Sequence, residues 1–324
     1  MKSSEFTGAP LKITTRELPL TVQFDETIQP EELIVWLNNN RVSLEDQLLQ
    51  YGAVRLKNTA ISSVHDFDRL IAAISIGEPM AYVDGFSPRT KLTSNTYTST
   101  EYDADFNITL HNELSYSAKW PSKLIFCCIT PCETGGETTI ADCRKILTSF
   151  NTELLAELRE KGVRYVRNLH SGEGAGPSWQ QTYETDSRHY VEQFCRDSDI
   201  RFDWKDDGGI RLVQHRPAVI RHPLTNEEVW FNQVDQFHPS HMDEEIYEAL
   251  MMMYENEMDL PMYGSFGDGS SISTEKIQAI RKTVDSNIVK NRWEKGDLLI
   301  VDNVLVCHGR SSYTGNRKIL VSMT

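Results

Sequence analysis

The chain contains no run approaching the roughly 18 consecutive apolar residues of a membrane-spanning helix. Its opening segment, Met1 to Leu20, interrupts any signal-like apolar core with Lys2, Glu5, Lys12, Arg16 and Glu17. Membrane insertion and export are therefore not expected, and a cytoplasmic location is. Cysteine is scarce. The six present (Cys127, Cys128, Cys132, Cys143, Cys195 and Cys307) include no C-x-x-C pair and follow no disulfide-scaffold rhythm, so free thiols in a reducing compartment are expected. Positive charge is also short, with 33 Lys and Arg against 47 Asp and Glu, for a net charge of -14. Nucleic-acid affinity rests on clustered Lys and Arg that release counterions, so neither nucleic acid nor an anionic membrane is an expected partner. Internal repeats and low-complexity tracts are missing too.

What remains is ordinary globular material, 39% hydrophobic and 25% charged. Although 324 residues exceed the usual domain size, β-barrels of about 200–250 residues with added helices fold as one unit. One domain over residues 1–324 is the expectation. Helical periodicity and caps predict one or two helices in Pro30 to Tyr51, closed by Gly52, and further helices over His65 to Ile76, Asp142 to Lys161, Asp243 to Met258 and Ser273 to Ser286. In the fourth of these, Ile246, Leu250, Met251 and Tyr254 form a stripe expected to face the core, and its acidic residues a solvated face.

Short β-type runs lie between: Leu18 to Phe24, Ala53 to Leu56, Ile108 to Leu114, Leu124 to Ile129, Val163 to Asn168, Ile210 to Gln214, Ala218 to Arg221, Glu228 to Asn232, Leu298 to Val301, Val304 to Cys307 and Lys318 to Ser322. Many short strands with interspersed helices predict a mainly β fold with flanking helices, a barrel or jelly roll.

One of these runs carries chemistry. Residues i and i+2 of a strand share a face, so His111 and Glu113 are expected to point together into the barrel. With nine histidines, about one His-x-Asp/Glu arises by chance, and His241-Met242-Asp243 is a second match. It sits where a helix begins, which makes Asp243 an N-terminal helix charge. A third ligand is offered by His308, at the end of an apolar run; a satisfied core histidine is the competing account. Arg317, nine residues on, favours the ligand. An imidazole pair and a carboxylate form a facial triad with open positions on Fe(II) for a co-substrate and O2, and a buried arginine can grip the far carboxylate of a dicarboxylic acid. Two other classes use the same residues: a His2Glu zinc hydrolase, for which no H-E-x-x-H pair is present, and a metal-free binding module.

Five segments together resemble the taurine dioxygenase-like Fe(II)/2-oxoglutarate oxygenases: Thr98-Ser99-Thr100-Glu101-Tyr102, His111-Asn112-Glu113-Leu114-Ser115-Tyr116, Gly135-Gly136-Glu137-Thr138, Val229-Trp230-Phe231-Asn232-Gln233, and His308-Gly309-Arg310 with Arg317. The similarity runs from about Gly52 onward and is nearest the branch of the syringomycin aspartyl hydroxylase, which acts on amino acids in natural-product pathways. The resemblance implies a double-stranded β-helix, with His111, Glu113 and His308 on iron and Thr138 and Arg317 on 2-oxoglutarate. It implies hydroxylation of an unactivated C–H bond in an amino acid or related small molecule, free or tethered to a carrier protein. Desaturation or cyclisation by the same centre are the alternatives. Two departures stand out. Glu113 occupies a position that is Asp in many relatives, and Val321 replaces a second arginine that some carry, which counts against a taurine-like sulfonate. Because halogenating relatives lack the metal carboxylate, Glu113 favours hydroxylation. Candidate substrate contacts are Tyr102, Trp179, Arg211, Arg221, Asn232 and Arg310. No oligomeric state follows from the sequence.

Overall fold

The computed structural model describes residues 6–74, 77 and 79–324. Its largest sheet has seven strands in the order Leu11–Thr15, Leu20–Ile28, Ala53–Thr59, Leu298–Asp302, Lys123–Thr130, Lys318–Met323 and Tyr97–Thr98. Every neighbouring pair is antiparallel except Leu20–Ile28 with Ala53–Thr59. A second, antiparallel sheet runs Val289–Asn291, Thr138–Asp142, Val306–Arg310 and Ile108–His111. The two share one core, which makes the molecule mainly β with flanking helices, a double-stranded β-helix (jelly roll).

Alternation along the strands builds a layer on each side of the large sheet. Leu124, Phe126 and Cys128 join Leu299, Val301, Ile319 and Val321 in the core shared with the second sheet. Ile125, Cys127, Leu298, Ile300 and Leu320 belong instead to the core beneath helices Pro30–Asn39, Arg41–Tyr51 and Val64–Ala73. Those helices cover the sheet with Leu33, Trp36, Leu44, Leu48, Phe67 and Leu70, each buried side chain contributing about 1.5–3 kcal/mol. Gly52 ends the second helix at φ +79, and a Cβ there would lie 2.4 Å from Val306 Cγ2, so only glycine turns the chain into Ala53–Thr59 at this spacing.

A further antiparallel sheet, Ile200–Trp204, Ile210–Arg216, Val163–Leu169 and Met262–Phe266, carries its own apolar cluster. Helices Trp179–Tyr183 and Arg188–Asp197 supply Trp179, Tyr183, Val191 and Cys195 to it. All six cysteines are free thiols. Among the described residues no helix is long and apolar enough to cross a membrane.

Several elements differ from expectation. Asp142 to Lys161 is two helices, Cys143–Ser149 and Thr152–Lys161; Asn151 accepts hydrogen bonds from the backbone N–H groups of Glu153 and Leu154 and so starts a new helix. The helix expected over Asp243 to Met258 covers only Glu244–Met251 and buries no residue; of its stripe Ile246 is exposed and Leu250, Met251 and Tyr254 are half-buried, so the stripe is a partly covered face and not a core. Ile76, where the third helix was expected to end, lies outside the described residues, and that helix stops at Ala73. His308 falls inside its strand, Val306–Arg310, rather than past the end of Val304 to Cys307.

Candidate metal centre

His111 closes the strand Ile108–His111, and in the antiparallel register it sits directly opposite His308 of Val306–Arg310. The two rings lie with centroids 4.4 Å apart. Glu113 is not on the strand as expected. The strand ends at His111, and Glu113 lies in the following turn, where Leu114 takes φ +56. Side chains rather than pleat aim it. Asn303, just beyond Leu298–Asp302, accepts from the Glu113 backbone N–H (2.8 Å) and donates to the Glu113 and Pro121 carbonyls (3.0 and 2.9 Å). Asn112 donates back to the Asn303 carbonyl (2.6 Å), and Gln233 donates to the Asn112 carbonyl (2.6 Å).

The result is a converging donor set. One ligand atom from each of His111, Glu113 and His308 lies within 4.8 Å of the others, all three residues being buried. His111 Nδ1 donates to the Thr109 carbonyl at 2.9 Å, which leaves Nε2 with its lone pair. Burial pushes the pKa of His111 down and that of His308 well down, the latter aided by His111 and the Arg89 charge, so both imidazoles stay neutral as metal ligands require. Two neutral imidazoles and a carboxylate suit Fe(II).

The cavity over these residues is lined by Arg89, Ser99, Ile108, Phe126, Thr138, Arg310, Arg317 and Ile319 among others. Phe126, from the large sheet, stands 5.3 Å from the His308 ring. Arg317 and Thr138 thus reach the same cavity from opposite sheets. Arg317 donates to the Gly136 carbonyl and Ser99 Oγ, both at 3.2 Å, and burial with nearby Arg310 pushes its pKa down to about 10. Thr138 Oγ1 accepts from Trp293 Nε1 at 2.9 Å, which leaves its own hydroxyl proton to donate. A larger cavity, about 850 Å³, lies beside helix Pro30–Asn39, but it holds no comparable donor set.

The other expected contacts scatter. Arg310 lines the cavity, but its guanidinium donates to the Thr100, Tyr102, Asp103 and Phe106 carbonyls and so pins that loop. Tyr102 lies on the loop, partly exposed, with Arg89 near enough to offset part of the rise that burial gives its phenol pKa. Trp179 is packed in the separate apolar cluster. Arg211 pairs with Asp259 and Asn168, and exposed Arg221 pairs with Glu228. Asn232 donates to the Ala218 carbonyl and accepts from Val234 N–H. None of these last four lines the cavity. Sequence reasoning missed Arg89, which forms a buried ion pair with Glu113, and Asn303. The signal for Asn303 was an Asp-Asn pair between two apolar strand runs; Arg89, in an aperiodic loop, gave none.

The family model for "Taurine catabolism dioxygenase TauD, TfdA family" matches residues 14–324. The chain belongs to this TauD/TfdA family. As a TauD/TfdA member it is a 2-oxoglutarate-dependent dioxygenase that uses Fe(II), 2-oxoglutarate and O2, and the zinc hydrolase and metal-free module fall away. The chain is 33% identical over 280 residues to the dapdiamide synthesis protein DdaC of Enterobacter agglomerans, covering 86% of this chain and 84% of that one. It is 28% identical over 327 residues to a clavaminate synthase-like protein of Arabidopsis thaliana, covering 98% and 91%. Its fold is similar to that of PvcB from Pseudomonas aeruginosa, with TM-score 0.55 and 15% identity over 100% of this chain and 94% of that one.

Proposed function

We propose that this TauD/TfdA dioxygenase hydroxylates an unactivated C–H bond of an amino acid or amino-acid-derived small molecule, free or carrier-bound, in a biosynthetic pathway. The observation that carries the reading is the intact His111, Glu113 and His308 set beneath a cavity that Arg317 and Thr138 enter. His111, Glu113 and His308 would hold iron, which with 2-oxoglutarate and O2 supplies an oxidant able to remove hydrogen from such a bond. Because Glu113 keeps its ligand position, no place is left for a halide there. Arg317 and Thr138 would orient 2-oxoglutarate, the arginine through charge-assisted hydrogen bonds to the distal carboxylate. Phe126, Ile108 and Ile319 exclude water from the reacting centre. A natural-product role is supported by the 33% identity to a dapdiamide synthesis protein. A cytoplasmic setting is supported by six free thiols.

The test begins without oxygen. Wild type with Fe(II) and 2-oxoglutarate is expected to show a weak visible charge-transfer band that His111→Ala abolishes and Arg317→Ala weakens. With O2 and candidate amino acids, free or carrier-loaded, succinate should form together with a product heavier by one oxygen atom. A product lighter by two hydrogens would replace hydroxylation by desaturation, and iron binding without a band would sink the reading.

A further inference from the structure

Arg89 stands in the cavity wall beside the metal ligands, with a side chain only 2% exposed. One guanidinium nitrogen, Nη2, is spent on Glu113. The other two, Nε and Nη1, are buried and make no hydrogen bond of normal geometry, the polar side chains beside the guanidinium being those of Glu113 and Tyr82. Buried polar groups are almost always satisfied, and a buried guanidinium nitrogen without an acceptor is costly to keep. The loop that carries it is nevertheless firmly held. Arg89 lies over the Tyr82 ring at 4.7 Å. Upstream, Asp84 forms an ion pair with Arg167 in which both side chains are fully buried, and its carbonyl accepts from Arg167 Nη1 (3.0 Å) and Tyr116 Oη (2.9 Å).

Charge around the cavity points the same way. Among the described residues its lining includes Arg89, Arg310 and Arg317 but no acidic residue, with Glu113 adjacent. Arg310 spends Nη1 and Nη2 on four backbone carbonyls and leaves only Nε unpartnered, and Arg317 has 2-oxoglutarate to bind. A divalent cation would add two further positive charges, which Glu113 and a doubly charged 2-oxoglutarate do not cancel in full once the arginines are counted. Arg89 shares its one anion, Glu113, with the metal position and keeps two nitrogens free to meet a further anion.

We infer that Arg89 anchors a carboxylate on the substrate itself, distinct from the carboxylates of 2-oxoglutarate. This rests on the oxygenase reading above and narrows its substrate class. A monocarboxylic amino acid held as a carrier thioester has used up that group, so the substrate is either a free acid or a carrier-bound acid with a second carboxylate.

Acetate is the probe, with acetamide as its uncharged match. Each is titrated at constant ionic strength into the oxygen-free protein loaded with Fe(II) and saturating 2-oxoglutarate, and the charge-transfer band is followed. In wild type, acetate should shift the band saturably and acetamide should not. With Fe(II) raised to saturation to offset the lost Glu113 ion pair, Arg89→Met and Arg89→Lys should form the band at unchanged 2-oxoglutarate. The Met variant should need at least about tenfold more acetate, whereas the Lys variant keeps part of the response. A wild-type band indifferent to acetate overturns the inference, as does an equal response in Arg89→Met. Loss of the band in both variants also overturns it, by assigning Arg89 to the centre itself. Absence of the band in wild type is a separate result, which removes the oxygenase reading first.

Discussion

Asn303 shows how much of the centre depends on a side chain that is not among the metal-facing donors. It holds the Glu113 backbone through both its N–H and its carbonyl, and it also ties down Pro121. Asn303→Ala should lower iron affinity by about 10–100-fold, the usual cost of removing a group that orients a metal ligand. Iron titration monitored by the charge-transfer band checks this, and unchanged affinity would show that the turn holds Glu113 unaided. That His111, Glu113 and His308 would come together was legible because metal chemistry restricts residue type, although the turn that carries Glu113 was not. Arg89 and Asn303 were not, since a loop arginine and a turn asparagine are common wherever chains bend. The scattered arginines teach the converse: Arg211 and Arg221 have nearby carboxylates to satisfy them, and sequence cannot show a partner 48 residues away, as Asp259 is from Arg211.

At the level of elements, the two strands bearing the histidines come unusually close at Gly309. A Cβ there would fall 2.4 Å from the Ile108 carbonyl oxygen and 2.8 Å from Thr139 Oγ1. Gly309→Ala should therefore pry Val306–Arg310 from Ile108–His111 and cost about 1–3 kcal/mol, measured by denaturant unfolding, with iron binding weakened in parallel. An unchanged midpoint would mean that the strands separate without strain. Strands with clean apolar runs, such as Leu298–Asp302 and Lys318–Met323, were readable from sequence. Thr138–Asp142 was not, because its sequence, Thr-Thr-Ile-Ala-Asp, has one large apolar residue and so forms no apolar run although all five residues are buried. The helix Glu244–Met251 misled in the other direction: it has the spacing of a core stripe yet buries none of it, since periodicity reports helix formation and not what covers the apolar face.

For the whole molecule, the centre is a joint between sheets. Thr138, His111 and His308 belong to the smaller sheet, while Phe126 and the residue leading into Lys318–Met323, Arg317, belong to the larger. Ligands that bridge the sheets should stabilise the entire fold, by about 2.7 kcal/mol at a free concentration one hundred times the dissociation constant. Without oxygen, Fe(II) should raise the unfolding temperature and 2-oxoglutarate should raise it further. In Arg317→Ala only the metal increment should remain, and a full second increment in that variant would place 2-oxoglutarate elsewhere.

The pairing that makes this joint also governs how it forms. Asn303 reaches Glu113 across 190 residues of chain, and Thr59 reaches Gly296 across 237. Contacts so distant along the chain are rewarded only after large loops have closed, which slows folding. His111 and His308 meet only once such loops have closed, so iron is expected to bind a barrel already built rather than to nucleate one.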